Sequence, residues 1–224
     1  MPDPGDQDDL SAVPLFPLPN VVLLPRAVLP LHIFEERYKA MVADALLEDG
    51  QVAMALLRPG WEKNYHGRPA IEPVVCVGLI LTHERLSDGR YNLLLQGQAR
   101  ARIVREHGDK LYRMAELTAL EQMPVLEIDL AEDRRRLEAL FDDGRLLATG
   151  IGRRFREMLA SPIPTSQIAD LVAFNFLEDV HFKQSLLADG DVRHRVGRVV
   201  EAFEAIHSAL QAAVPNDFRG PSLN

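Results

Sequence analysis

VPLFPLPNVVLLPRAVLPLHIFEERYKAMVADAL, Val13 to Leu46, decides the fold of this chain. Pro14, Pro17, Pro19 and Pro25 punctuate short apolar runs, and Pro30 precedes the apolar Leu31. Proline lacks the N–H that a strand interior donates, so this opening predicts short strands with prolines at their ends or on a sheet edge. The period then changes. Phe34, Tyr38, Met41, Val42 and Ala45 recur at three- and four-residue steps, which predicts one amphipathic helix laid against the sheet. Gly50 is the expected stop of that helix.

Beyond it, QVAMALLR (Gln51 to Arg58) is continuously apolar and reads as a strand buried on both faces. PGWEKNYHGRPAIEP (Pro59 to Pro73) is a long loop marked by prolines and glycines. Val74 to Glu84 is the next strand, Ser87-Asp88-Gly89 a tight turn, and Tyr91 to Leu95 the returning hairpin partner. Ala99 to Arg105 alternates, with Arg100 and Arg102 facing water between Ala101 and Ile103. Tyr112 to Leu120 supplies one more strand. Near Glu121 the period becomes helical: Leu130, Leu137, Leu140, Phe141 and Leu147 fall on one stripe, which Gly150 and Gly152 are expected to break. After SPIPTS (Ser161 to Ser166), Ile168, Leu171, Val172 and Asn175 share a face. The last helix keeps a near-heptad seam of Val192, Val196, Val199, Phe203, Ile206 and Leu210. Strands first and helices last argue an α+β chain of two subdomains.

Three stretches carry a resemblance to a known family. PLFPLPNVVLLP followed by LPLHIFEERY resembles the opening signature of the Lon protease N-terminal substrate-recognition domain. CVGLILTHERLSDGRYNLLLQGQARARI (Cys76 to Ile103) is similar to its central strands, and FKQSLLADGDVRHRVGRVVEAF (Phe182 to Phe203), more loosely, to its closing helices. The resemblance spans about Val13 to Leu210. It implies a PUA-like β pseudo-barrel with one packed helix, followed by a C-terminal α-helical bundle. On that basis residues 1–12 are an acidic disordered tail, 13–121 the β-rich pseudo-barrel, 122–214 the helical subdomain and 215–224 a flexible tail. Full-length Lon proteins also carry an ATPase and a serine-lysine protease module. None of the lysines Lys39, Lys63, Lys110 and Lys183 follows a glycine, so no G-x-x-x-x-G-K-[ST] phosphate loop exists here. The expectation is a stand-alone recognition domain that lacks both modules.

Composition fits a globular protein: 47% of residues are hydrophobic and 26% charged, ordinary values for a chain able to bury a core. The net charge of −8 argues against a nucleic-acid partner, which needs a cationic footprint. The arginine clusters at Arg100 to Arg105, Arg134 to Arg136 and Arg153 to Arg156 mostly sit beside acids and read as solvated faces. The single cysteine, Cys76, precludes an internal disulfide and lies in an apolar run, where a buried inert thiol is the favoured reading. No signal-peptide pattern and no membrane-length apolar run occurs, so a cytoplasmic location is expected.

No catalytic or metal grouping stands out, and no cofactor is expected. His32 and Glu35 are three apart at the predicted helix start, but no second histidine completes H-E-x-x-H and no thiolate pair exists. His32 is read as a packing histidine with a hydrogen-bonded ring. His194 and His207 lie off the seam and are assigned to the surface. Lys183 and Ser185 point to different helix faces and cannot form a dyad. The candidate site is the loop with Trp61, Tyr65 and His66, whose aromatics are either a lid on the core or a platform for a partner; the lid is slightly favoured. Arg100 and Arg102 would complement acidic segments. The resemblance implies a non-enzymatic module that recognises unfolded or tagged polypeptide, in partnership with a separate protease or chaperone. An RNA-binding PUA-like module is the alternative.

Overall fold

The computed structural model describes residues 10–65, 67–108 and 110–212. Residues 1–9 of the expected N-terminal tail, all of the expected tail 215–224 and the last two residues of the expected helical subdomain, 213–214, lie outside the described residues, as does the candidate His66. The described chain divides into two compact units, one of residues to Pro124 together with Glu178–Val192, the other of Val125–Leu177 with residues from Arg193 onward. The sequence reading drew a single cut near Glu121. The chain instead returns: Gly190 passes so close to the Glu121 carbonyl oxygen that an added Cβ would lie 2.6 Å from it, and the Met123 N–H donates to Gly190 at 3.0 Å.

The first unit holds six strands: β1 (Val13–Leu18), β2 (Val28–Ile33), β3 (Gln51–Leu56), β4 (Val74–Arg85), β5 (Tyr91–His107) and β6 (Arg113–Ala119). Their order is β2-β5-β4-β3-β1-β6, and β5 also pairs with β6, which closes five strands into a ring with β2 appended. The fold is a pseudo-barrel, as expected. Odd-numbered residues from every strand of the ring, among them Leu15, Ala53, Val75, Ala101 and Ala115, meet in one buried cluster. The opposite face of β1 and β3 is covered by α1 (Glu36–Ala45), whose Tyr38, Met41, Val42 and Ala45 are buried. Tyr38 meets Phe16 of β1 at a ring-centroid distance of 4.6 Å. Gly50 adopts φ +71 and returns its N–H to the Ala45 carbonyl, stopping the helix as expected.

The prolines of β1 sit between two neighbours, not on an edge, and register explains why they are tolerated. The Leu57 N–H donates to the Leu18 carbonyl, so even-numbered residues of β1 turn their main-chain groups toward β3 and odd-numbered ones toward β6. The β3 ladder covers residues 15–18 and the β6 ladder residues 13–15. Pro14 and Pro17 therefore each face past the end of the ladder their missing N–H would have served. Pro30 lies on the edge strand β2.

Several expectations change. Phe34 precedes α1 and is 62% exposed. His32 lies in β2, exposed, with its ring bonded to Asn92 at 2.7 Å; it is not packed in the core. Val22–Leu24 is buried without forming a strand, and the two strands read at 91–95 and 99–105 are one, β5. Glycine at 97 allows that continuity: an added Cβ there would overlap the Leu24 carbonyl oxygen. Helix α6 (Val180–Leu187) belongs to this unit, where Gln184 donates to the Val74 carbonyl at 2.9 Å.

The second unit contains α2 (Ala131–Phe141), α3 (Gly144–Leu147), α4 (Gly150–Leu159), α5 (Thr165–Phe176) and most of α7 (Val192–Ala212). Phe141, Phe155, Phe176 and Phe203 form one aromatic cluster with centroid separations of 5.0–5.6 Å. Gly150 and Gly152 do not break a helix; they lie inside α4, and the breaks fall earlier, where Asp143 and Thr149 cap the next helix. Asn175 is exposed, and the α7 seam fades from fully buried Val196 to Leu210 at 61% exposure. Among the described residues no helix is long and apolar enough to cross a membrane.

Candidate functional site

The described residues of the loop from Pro59 to Pro73 are tied to one another and to the barrel. Gly60 takes φ +87 and starts a one-turn 3-10 helix, Trp61–Asn64. Trp61 and Tyr65 pack edge to face at 5.5 Å, and both lean, partly buried, on the barrel's interior cluster. The loop's return is held by three ties. Leu57 bridges Ile71, the Arg58 N–H donates to Ala70, and the Arg113 guanidinium donates to the Pro69 carbonyl at 2.7 Å. Arg113 itself is only 9% exposed and is gripped by Glu106 through two bonds of 2.7 and 2.8 Å. Trp61 thus packs, partly buried, against the core cluster, while Tyr65 shares itself between that cluster and the surface.

Beside Tyr65 opens a cleft of about 270 Å³. Pro17, Leu57, Pro69 and Leu111 supply its apolar lining, Tyr38, Tyr65 and Tyr112 its aromatic one, and Arg37, Arg68, Lys110 and Arg113 its charge. Three of these cations carry a carboxylate. Arg37 pairs with Glu35 at 2.9 Å and lies over both the Tyr38 and Tyr65 rings, at 4.5 and 5.0 Å. The Tyr65 hydroxyl donates to the same Glu35 at 2.6 Å. Lys110 and the Tyr112 hydroxyl both donate to Asp44, at 2.8 and 2.6 Å. Among the described residues Arg68 donates only to the His107 carbonyl, at 3.3 Å.

These contacts shift the titrations in directions that follow from their causes. Hydrogen bonds from Lys110 and then Tyr112 hold the Asp44 carboxyl below its ordinary range. Burial, then the bond to Glu35, raises Tyr65; burial pushes Tyr38 up to about 12. All three tyrosines therefore stay protonated at neutral pH and act as donors and ring surfaces. Among the described residues no group of three or more His, Cys, Asp or Glu is placed to hold a metal ion.

Arg100 and Arg102 do not line this cleft. Arg102 is exposed, but Arg100 is only 4% exposed, which corrects the expectation of a wet face carrying both. A bulge is the cause. Val77 faces Ala99 and Gly78 faces Gly97, leaving Gln98 as an extra residue that reverses the alternation of β5. Arg100 consequently continues the covered face of Leu93, Leu95 and Gly97, opposite the fully buried Cys76. The cleft's cations come from α1, the loop, the β5–β6 connection and the start of β6, segments far apart in sequence. The ring that brings these together needs the β1–β6 pairing as well as the β5–β6 one, and periodicity carries no signal for the former.

Comparison with known proteins agrees with this architecture. Residues 12–204 match the family described as the ATP-dependent protease La (LON) substrate-binding domain. Lon protease 2 of Myxococcus xanthus is 27% identical over 212 residues, covering 90% of this chain and 25% of its own length. Lon protease of Dictyoglomus thermophilum is 26% identical over 196 residues, 86% of this chain and 24% of its own. The chain thus spans about a quarter of the length of these relatives. Among solved structures, the N-terminal domain of a Mycobacterium avium complex Lon protease superposes with a TM-score of 0.68 at 18% identity, over 87% of this chain and 98% of that one. A Lon N-terminal domain protein from Xanthomonas campestris gives 0.62 at 22% identity, over 85% and 98%. At these identities the structural likeness concerns the fold.

Proposed function

The chain belongs to the LON substrate-binding domain family, and on that premise we propose that it recognises polypeptide, without a covalent step, at the cleft beside Tyr65. The observation that carries this reading is a cleft with an aromatic and apolar lining, beside a loop that Arg113 and Trp61 anchor to the barrel. A site already fixed before binding loses less ordering entropy when it is filled. Its volume of about 270 Å³ is below the roughly 300–1,000 Å³ of ordinary small-molecule pockets. It suits one or two side chains of an extended segment better than a whole metabolite. Unfolded or tagged polypeptide, with a separate protease or chaperone as collaborator, remains the substrate and partner we propose.

Pairing along a sheet edge contributes little in this reading. The bond from Gly97 N–H to the Ala27 carbonyl turns odd-numbered β2 residues inward, so Val28, Pro30 and His32 present the free main-chain edge. Pro30 removes the central donor from that edge, a common guard against strand addition. Catalysis is also disfavoured: the Tyr65 and Tyr112 hydroxyls are committed to carboxylates, and Lys110 is ion-paired.

The test is binding of unstructured peptides and of single-stranded RNA at two salt concentrations. Peptide binding that tolerates salt and weakens by about 2 kcal/mol or more in Tyr65→Ala, as for an aromatic hot spot, is the expected result. RNA binding with a steep salt dependence, and no peptide binding, would overturn the proposal in favour of the RNA-binding alternative.

A further inference from the structure

We infer that the cleft selects among polypeptide segments by charge, taking a carboxylate on Arg68; this rests on the polypeptide reading above. Arg37, Lys110 and Arg113 are each neutralised by a carboxylate within 2.9 Å. Among the described residues Arg68 has no such partner, and its one bond, to a main-chain carbonyl at 3.3 Å, is long. Among the described residues the cleft therefore keeps one positive charge without a carboxylate, on a guanidinium with most of its five donors open.

Its main chain is anchored at the next residue. Arg68 is followed by Pro69, whose carbonyl is bound by the buried Arg113. Its guanidinium lies over Gly108, where an added Cβ would meet its nitrogens at 3.6–3.7 Å, so position 108 itself puts no side chain against it. Guanidinium geometry matches a carboxylate through two parallel N–H···O bonds. Leu57, Pro17 and the Tyr65 ring supply apolar surface in the same cleft for the neighbouring residue of an extended chain. The chain's overall charge of −8 repels an acidic ligand at long range. Salt screens that repulsion over about 8 Å at physiological ionic strength, leaving the contact at Arg68 to decide.

A nucleic-acid phosphate is chemically related but less well served. Binding to a single strand gains about 0.7 units of salt slope per phosphate neutralised, and one open cation supplies a single such contact. Two sources of carboxylate remain equivalent at the site, an acidic side chain and a free C-terminus.

The experiment uses labelled peptides sharing one apolar core: a central Asp with an amidated C-terminus, a central Asn amidated, and a central Asn with a free C-terminus. A single-stranded RNA of equal length is the fourth ligand. Fluorescence anisotropy is read for the wild type and for Arg68→Gln and Arg68→Lys, with melting curves to show that each variant folds. The expected result is at least tenfold tighter binding of one or both carboxylate peptides than of the neutral one. Which of them gains identifies the source. That preference should shrink below twofold in Arg68→Gln and persist in part in Arg68→Lys. Equal binding of all three peptides, or a preference untouched by Arg68→Gln, overturns this inference while leaving polypeptide recognition standing. Binding of no peptide overturns both, and RNA binding that exceeds peptide binding and is lost in Arg68→Gln reassigns Arg68 to phosphate.

Discussion

Trp61, Asp44 and Gly97 show what single residues contribute, and each yields a measurable expectation. Trp61 is partly buried against the barrel cluster, so Trp61→Ala should cost about 2 kcal/mol in reversible urea denaturation, below the 3–5 of a fully enclosed ring. A midpoint unchanged from wild type would mean that the ring is a platform and not a lid. Asp44 is held below its ordinary value of 3.8 by Lys110 and Tyr112. A carboxyl depressed in the folded state stabilises at pH above its unfolded value, and that contribution is lost as pH falls through the folded one. Wild type should therefore melt higher than Asp44→Asn at neutral pH, and the gap should close below about pH 4. A gap independent of pH would contradict the assignment. Gly97→Ala should destabilise by about 3 kcal/mol or more, because the new methyl meets a backbone oxygen and not a flexible side chain. The tryptophan was legible as either lid or platform from its loop. The other two were not, because their partners, Lys110 and Leu24, lie far away in sequence.

Secondary-structure elements were more legible where one period ran unbroken. Tyr38, Met41, Val42 and Ala45 gave the buried face of α1, and Val196, Val199 and Phe203 that of α7. Phe203 sits 5.0 and 5.2 Å from Phe176 and Phe141 and is 3% exposed. Phe203→Ala should cost about 3–5 kcal/mol through lost transfer energy and a cavity, as chemical denaturation would report. A loss below about 1 kcal/mol would show that the cluster relaxes around the gap. Legibility failed where alternation changed phase. The bulge at Gln98 carried Arg100 to the covered face, and nothing in a polar residue between Gly97 and Ala99 announces it. It failed too at Gly150 and Gly152, which look like breakers. Gly152 is instead required inside α4, where an added Cβ would overlap the Leu146 carbonyl oxygen.

At the scale of the molecule, the α+β class and the family could be read from three motifs, because their proline and hairpin punctuation is specific. The ring closure through β1, β3 and β6 could not, because long-range pairing leaves no local period. The return of residues 178–192 to the first unit was equally hidden. The same closure assembles the cleft, so among the described residues the candidate site was legible only through Tyr65 of the loop's aromatics. Polypeptide recognition at that cleft is tested most directly by amide chemical-shift mapping, with isotope-labelled protein titrated with an unstructured polypeptide. The account predicts saturable shifts centred on Tyr65, Gly67, Arg68, Leu111 and Tyr112. Shifts confined to β2 and Leu94, with the cleft amides unmoved at saturation, would contradict it.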